Sequence, residues 1–222
     1  MPTDLSRADP LIDGLVADLG PVRPRRWQLE LLMLAGLALV EILLFIAIIG
    51  VRPDMPDAMG AMPFWWKSGS LAALFLLSGA AVLVSLDPAT TTARRLSPLW
   101  RALAVAVPVL LAAGWLIDAG AEGRAALIAR LDWREGVDCL KNVWILSLPP
   151  VVALGLLMRR GASTQPGRTA LAAGLAAAGF GAFVFAFHCD HDDPLYVALW
   201  YGGAVAAVAG LARLILPRLT RW

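Results

Sequence analysis

The residues best suited to chemistry are two solitary cysteines, Cys139 and Cys189. The segment 187–193 around the second cysteine adds both histidines of the chain and three carboxylates, namely His188, His191, Asp190, Asp192 and Asp193. Thiolate and imidazole suit soft metal ions, and two thiols on an oxidising side of a membrane can form a disulfide. The spacing matches no zinc motif. The residues alone therefore leave an inert disulfide and a reactive sensor pair equally open, with Cys139, Cys189, His188, His191 and Asp190 as candidate metal ligands.

The composition indicates which elements position these residues. Hydrophobic residues make up 59% of the chain and charged ones 16%, whereas soluble domains carry about 25% charged residues. The mean hydropathy is +0.70, and the apolar residues form blocks that can cross a hydrocarbon core roughly 30 Å thick as helix. The sequence therefore predicts an all-α integral membrane protein with six transmembrane helices, at about 27–50, 67–86, 100–117, 143–158, 169–187 and 195–216.

The distribution of basic residues predicts the orientation. Twelve Lys and Arg residues flank spans on the side of the chain ends, against six on the other side. Basic residues near span ends are retained in the cytoplasm. We therefore expect both termini in the cytoplasm and both cysteines on the far side of the membrane. The net charge of +2 is small, and no nucleic-acid partner is predicted.

Small residues predict which spans pack closely. Span 5 has Ala173, Ala177 and Gly181 at four-residue spacing, and span 6 has Gly202, Ala206 and Gly210. Such residues allow helices to approach each other in a bilayer, so we expect spans 5 and 6 to meet along these faces.

One carboxylate, Glu41, lies deep in span 1. A charge at that depth is costly and is by default a functional hypothesis. The alternatives are a proton-linked transport group and, as the favoured one, a protonated carboxyl bonded to backbone or to Ser78 or Ser147.

Residues 1–24 form a leader before the first span, and we predict an amphipathic cytoplasmic helix within it. Asp9 can cap this helix, Pro10 suits its first turn, and Gly20-Pro21 ends it. Its apolar face comprises Leu11, Ile12, Leu15, Val16 and Leu19. A helix this short orders mainly by binding something. A partner protein is favoured over the alternatives, a membrane-surface helix or an unstructured leader, because the helix is acidic.

Several of these features together resemble the NrsF-like family of bacterial membrane anti-sigma factors, over nearly the full length. They are the leader ending in Leu19-Gly20-Pro21-Val22-Arg23, the six spans, a Cys ahead of Ser147-Leu148-Pro149-Pro150, the turn Arg159-Arg160-Gly161-Ala162, His188-Cys189, Asp193-Pro194-Leu195 and Trp200-Tyr201.

The resemblance implies a function without catalysis. The protein would hold an extracytoplasmic-function sigma factor at the inner membrane and release it under heavy-metal or oxidative envelope stress. Cys139 and Cys189 would be the sensor thiols, with no constitutive cofactor and at most a transient soft or heavy metal ion. Adding the apolar face, the predicted docking residues are Leu11, Ile12, Leu15, Val16, Asp18, Leu19, Pro21 and Val22, and residues 25–222 form the transmembrane sensor domain.

Two other classes of function remain open from the residues. Six spans with acidic loops suit a small cation or metal transporter or channel, although Glu41 is the one ionisable group at depth. A membrane thiol oxidoreductase is the second alternative, although it would normally carry a closely spaced cysteine pair.

Overall fold

The computed structural model describes residues 9–17, 26–86, 93–117, 132–161 and 163–220, and within these ranges the regular structure is helical. The helices are α1 (Asp9–Ala17), α2 (Trp27–Ile48), α3 (Met55–Ala58), α4 (Met62–Ser85), α5 (Ala93–Ile117), α6 (Trp133–Arg160), α7 (Pro166–Ala186) and α8 (Pro194–Leu219). The chain divides into two compact units, residues 1–32 and 33–222. The all-helical prediction is confirmed.

Five of the described helices, α2, α4, α6, α7 and α8, are long and apolar enough to cross a bilayer. They coincide with five of the six predicted spans. The third predicted span falls in α5, whose apolar part Pro98–Gly114 is shorter than the others. This helix lies along α4, and the Trp66 indole N–H donates to the Leu110 carbonyl at 2.9 Å. Six crossings therefore stay a prediction.

The centre of the second unit is α7, which is rich in alanine and glycine. In its most apolar 18-residue stretch, 83% of the residues are buried. α7 packs against α4, α6 and α8, and its small side chains let three neighbours approach at once. A Cβ added at Gly174 would lie 2.6 Å from Ala209 Cα, so backbone contact between α7 and α8 requires glycine there.

The prediction that α7 and α8 pack closely is correct, but the predicted face of α8 is wrong. Gly202 and Ala206 are exposed, whereas the buried face of α8 consists of Ala204, Val205, Val208, Ala209, Ala212 and Leu216. On α7, Gly181 contacts α6 instead, since a Cβ there would lie 2.8 Å from Ser147 Oγ. Four-residue spacing of small residues recurs on several faces of these helices, so spacing alone does not select the contact face.

Helix α6 begins ten residues before the predicted span. The Asp132 carboxylate accepts hydrogen bonds from the backbone N–H groups of Arg134 and Glu135, at 3.0 and 3.3 Å, and caps the helix. The predicted span begins at about residue 143, whereas residues 133–141 are already the first turns of α6. Cys139 consequently lies on a rigid helix and not ahead of it.

Helix α8 begins with an irregular turn beside the cysteines. The Asp193 carboxylate caps it by accepting from the N–H groups of Leu195 and Tyr196, at 2.8 and 3.2 Å. One α-turn is followed by a π-helical turn, Val197–Tyr201. Such turns add a residue to the helix and are frequent at functional sites. Here the turn carries Trp200 and Tyr201 towards α6 and the cysteines.

Candidate functional site

The two cysteines meet at one end of the bundle, although they lie 50 positions apart in sequence. Cys139 projects from α6 and is 1% exposed, and Cys189 lies in the connection between α7 and α8 and is 8% exposed. Both are free thiols, and the Cys139 side chain is close enough to lower the pKa of Cys189. Gly136, one turn before Cys139, leaves the space that the Trp200 indole fills, since a Cβ there would be 2.0 Å from that ring. The two free thiols are therefore enclosed and close to each other.

A fully buried cation, Lys67 of α4, holds the segment that carries Cys189. Lys67 is 0% exposed. Its ammonium donates to the carbonyl of Cys189 at 2.9 Å and to that of His191 at 3.2 Å, and it forms an ion pair with Asp192. The Tyr201 ring lies 5.8 Å below it. A buried ammonium needs such compensation, because leaving one without partners costs several kcal/mol.

A second cation, Arg52, approaches the same segment from the connection after α2. Its guanidinium donates to Asp192 at 2.8 Å and to Asp54 at 2.7 and 2.6 Å. It also reaches the carbonyls of Cys189 and Asp190 at 3.3 and 3.4 Å. Asp192 thus shares its two carboxylate oxygens between Arg52 and Lys67. We call Arg52, Asp54, Lys67 and Asp192 the ion cluster.

The ion cluster sets the charge environment of the thiols. The pKa of the Cys189 thiol is lowered, first by the neighbouring Cys139 side chain and then, against the opposing effect of burial, by the positive charge of Lys67. Hydrogen bonds to Asp54 and Asp192 raise the pKa of Arg52, and the same guanidinium lowers the pKa of Asp54. The thiolate is the nucleophile and the metal ligand of cysteine, so Cys189 is the more reactive position.

A potential metal-ligand set lies beside the thiol pair. The ligand atoms of Cys189, Asp190 and His191 all lie within 4.8 Å of one another. Ligands of a tetrahedral ion are separated by roughly 3.5 Å, so a small movement closes this set around a cation. The two ring nitrogens of His191 lie 3.0 Å from Glu135 and 3.0 Å from Asp190, and the ring stacks on Tyr196 at 4.4 Å. The thiolate, imidazole and carboxylate groups fit a soft or borderline divalent ion.

The remaining predicted ligands are placed differently. Cys139 is outside that three-ligand set but contacts Cys189. His188 lies elsewhere, with its Nδ1 atom 3.1 Å from the Gly50 carbonyl and its ring against Phe45 and Phe185. The structure thus brings together Cys139, Cys189, Asp190 and His191 and separates His188 from them.

Glu41 is buried in α2, and among the described residues neither carboxylate oxygen has a hydrogen-bond partner. The expected bond to a serine is absent. Ser147 donates to the Val143 carbonyl at 2.6 Å, and Ser78 donates to Leu74, each within its own helix. Serines inside apolar helices satisfy themselves in this way, so neither Ser78 nor Ser147 pairs with Glu41.

The predicted docking leader is described in part. Helix α1 covers Asp9–Ala17, and both Ile12 and Val16 are more than half exposed, at 51% and 58%. The side chains of Leu11 and Leu15, and the whole of Asp18, Leu19, Pro21 and Val22, lie outside the described residues. The docking set therefore stays a prediction.

The ion cluster was not predicted from the sequence. Arg52 and Lys67 were interpreted as orientation signals, and Asp192 as one of several loop acids. Lys67, at the start of an apolar span, was a signal for such a cluster, because a lysine that becomes buried when the span packs needs an anionic partner. Its partner could not be chosen among Asp190, Asp192 and Asp193 without the fold.

Comparison with known proteins identifies the family. The family model described as "Negative regulator of sigma F" matches residues 15–222. The chain is 31% identical to "Anti-sigma-F factor NrsF" of Caulobacter vibrioides, over 97% of this chain and the whole of that protein. It is 29% identical to "Probable anti-sigma-F factor NrsF" of Azospira oryzae, with the same coverage. No solved structure matches. The full-length similarity establishes that this chain belongs to the NrsF family of negative regulators of sigma F.

Proposed function

We propose that this protein is a membrane-anchored anti-sigma factor that holds an extracytoplasmic-function sigma factor and releases it when its thiol pair reacts. Family membership supports a regulator, not an enzyme, with a sigma factor as partner. The observation that carries the sensing part is the enclosed pair of free thiols, Cys139 and Cys189, beside a buried cation. An inert structural disulfide does not need a lysine at its side.

The proposed topology has six crossings with both termini in the cytoplasm of the inner membrane. α4 and α6 end at the same end of the bundle, where Leu86 contacts Gly161, whereas α6 begins near Cys189 at the other end. The chain between them has to return across the bundle. α5 lies beside Ser85 at Trp100 and beside Trp66 at Leu110, and its 25 residues extend roughly 37 Å, enough for a core of about 30 Å. This supports α5 as the third of the six proposed spans.

The leader is the proposed docking element. Helix α1 presents Ile12 and Val16 to solvent. A helix of nine residues is stable mainly when its apolar face is bound to a partner. Its carboxylates suit a basic surface on the sigma factor. Bound there, the leader would cover the surface through which the sigma factor engages RNA polymerase.

Two signals can change the thiol pair. An oxidant such as dichromate takes up two electrons while the two thiols lose two protons and join as a disulfide. A cadmium-like ion displaces the thiol proton of Cys189 and draws in His191 and Asp190. Either signal must provide about 5.5 kcal/mol of differential stability to convert a mostly held partner into a mostly free one. A thiolate–metal bond or a disulfide is of that order.

The docking proposal is tested by paired leader variants. Ile12→Glu/Val16→Glu places charge on the exposed apolar stripe, and Ala17→Glu, at an exposed position of the same helix outside the docking set, is the control. We expect the double variant to insert into membranes normally but to lose the co-purifying sigma factor, whereas the control retains it. Retention of the sigma factor by the double variant would exclude α1 as the docking element.

A further inference from the structure

The connection that follows α2 is bonded to the cysteine-bearing segment at several points. The Arg52 N–H donates to the Phe187 carbonyl at 3.0 Å, and His188 Nδ1 lies 3.1 Å from the Gly50 carbonyl. The Arg52 side chain adds Asp192 and the carbonyls of Cys189 and Asp190. Gly50, at φ +85°, makes the turn that ends α2 and aims Arg52 at this segment. The end of α2 therefore cannot stay in place if residues 187–192 move.

The backbone carbonyl of Cys189 accepts hydrogen bonds from both cations of the ion cluster. The Lys67 ammonium donates to it at 2.9 Å and the Arg52 guanidinium at 3.3 Å. When the Cys189 sulfur bonds Cys139 or a metal ion, the backbone at Cys189 must adjust, and the shared carbonyl and the nearby Asp192 shift with it. Buried charges respond to such a shift as a unit, because moving one partner alone leaves another unpaired in a low-dielectric site.

We propose that the ion cluster is the joint that couples the state of the thiol pair to α2, with Arg52, Lys67 and Asp192 as positioning residues. α2 is the helix that continues along the chain towards the leader, so a displacement at its end has a direct covalent route to the N-terminal segment. The biological meaning of this inference rests on the proposed function, but the coupling between the thiol pair and α2 can be measured without the sigma factor.

The variant that breaks the joint is Asp192→Asn, which removes the anion shared by both cations and leaves the Arg52–Asp54 pair in place. The matched control is Asp138→Asn, the same change in an exposed pair with Lys141 on α6, where the ion-pair distance is 2.9 Å. Should Asp192→Asn fail to accumulate in membranes, Arg52→Lys takes its place. It keeps one positive charge but lacks the planar fork that bridges two carboxylates.

The experiment compares each full-length chain in lipid nanodiscs with its thiols reduced and after oxidation by diamide. Diamide takes up the two electrons and two protons that are lost when the disulfide forms. Maleimide mass tagging reports how much of each chain has oxidised, and hydrogen–deuterium exchange reports on residues 33–48 of α2. We expect wild type and Asp138→Asn to change their exchange rate by about fivefold or more between the two states, the lower end of ordinary coupling. Asp192→Asn should oxidise fully yet show a ratio of about one.

Two results would overturn the joint: a wild-type α2 that is indifferent to oxidation, or an Asp192→Asn chain that responds as strongly as wild type. A separate pull-down of the sigma factor by wild type judges the proposed function. Failure of the joint and failure of the anti-sigma role are thus distinguished, since the first appears in the exchange data and the second in the pull-down.

Discussion

Replacing Lys67 by methionine tests the energetic role of the ion cluster. Methionine keeps the length and apolar stem of the side chain but removes the ammonium, which makes two carbonyl hydrogen bonds and one ion pair. Breaking a buried pair typically costs 3–5 kcal/mol. Asp192 keeps Arg52 at 2.8 Å, so we expect the lower end, about 3 kcal/mol.

The chain contains a matched control, Lys141→Met. Lys141 pairs with Asp138 on an exposed face, with 61% and 67% of the two side chains accessible, and such pairs are worth at most about 1 kcal/mol. The measurement is reversible unfolding of both variants in the same lipid–detergent mixture, followed by the alkylation rate of Cys189. We expect Lys67→Met to be much the less stable variant. Equal stabilities would refute the reasoning that the buried cation holds this end of the bundle.

Four further predictions concern single features. Because the pKa of Cys189 is lowered, alkylation of Cys189, resolved by mass spectrometry, should persist as the pH falls below the ordinary thiol pKa of about 8.5. The stability that the Cys189 thiolate contributes is present above that pH and is lost as the pH falls through the lowered pKa. In Lys67→Met the alkylation profile should move to higher pH, and an unchanged profile would remove Lys67 as a cause. Gly174→Ala should lower the free energy of unfolding by about 1–3 kcal/mol, because the added Cβ meets Ala209. Gly210→Ala, where an added Cβ has nothing within 4 Å, should not lower it. Equal losses would contradict the assigned face of α8. Glu41→Leu should raise stability by roughly 1–3 kcal/mol, because it removes a buried carboxyl that has no hydrogen-bond partner among the described residues. A loss of stability would mean that Glu41 has a partner. Asp132→Ala should lower stability by about 1 kcal/mol through loss of the α6 cap, and an unchanged unfolding curve would argue against that cap.

The positions of the apolar helices could be predicted from sequence because their signal is local. Runs of apolar residues about 20 long have one structural solution in a bilayer, and α2, α4, α7 and α8 begin or end within a few residues of the predicted limits. The start of α6 was missed since its first turns carry Arg134, Glu135 and Lys141. A span predicted from hydropathy ends where charged residues begin, whereas α6 continues beyond the part that can lie in the hydrocarbon core.

The site was predictable in its cysteines and not in its cations. The two thiols are conspicuous by rarity, and the alternation of spans puts them at one end of the bundle. The partners of Lys67 and the separation of His188 from the other ligands depend on how the segment 187–193 folds over α4, which no local pattern specifies. Long-range ion pairs, such as Arg52 with Asp192 at a separation of 140 residues, are set by packing.

The most direct test of the central claim is purification of the full-length protein from its own membranes, followed by mass spectrometry of what accompanies it before and after exposure to cadmium or dichromate. Our account predicts that a sigma factor co-purifies with wild type and is released by either agent, while Cys139→Ser/Cys189→Ser retains it under both treatments. Absence of a sigma factor from the untreated wild-type preparation, or equal release from the cysteine-free variant, would contradict it.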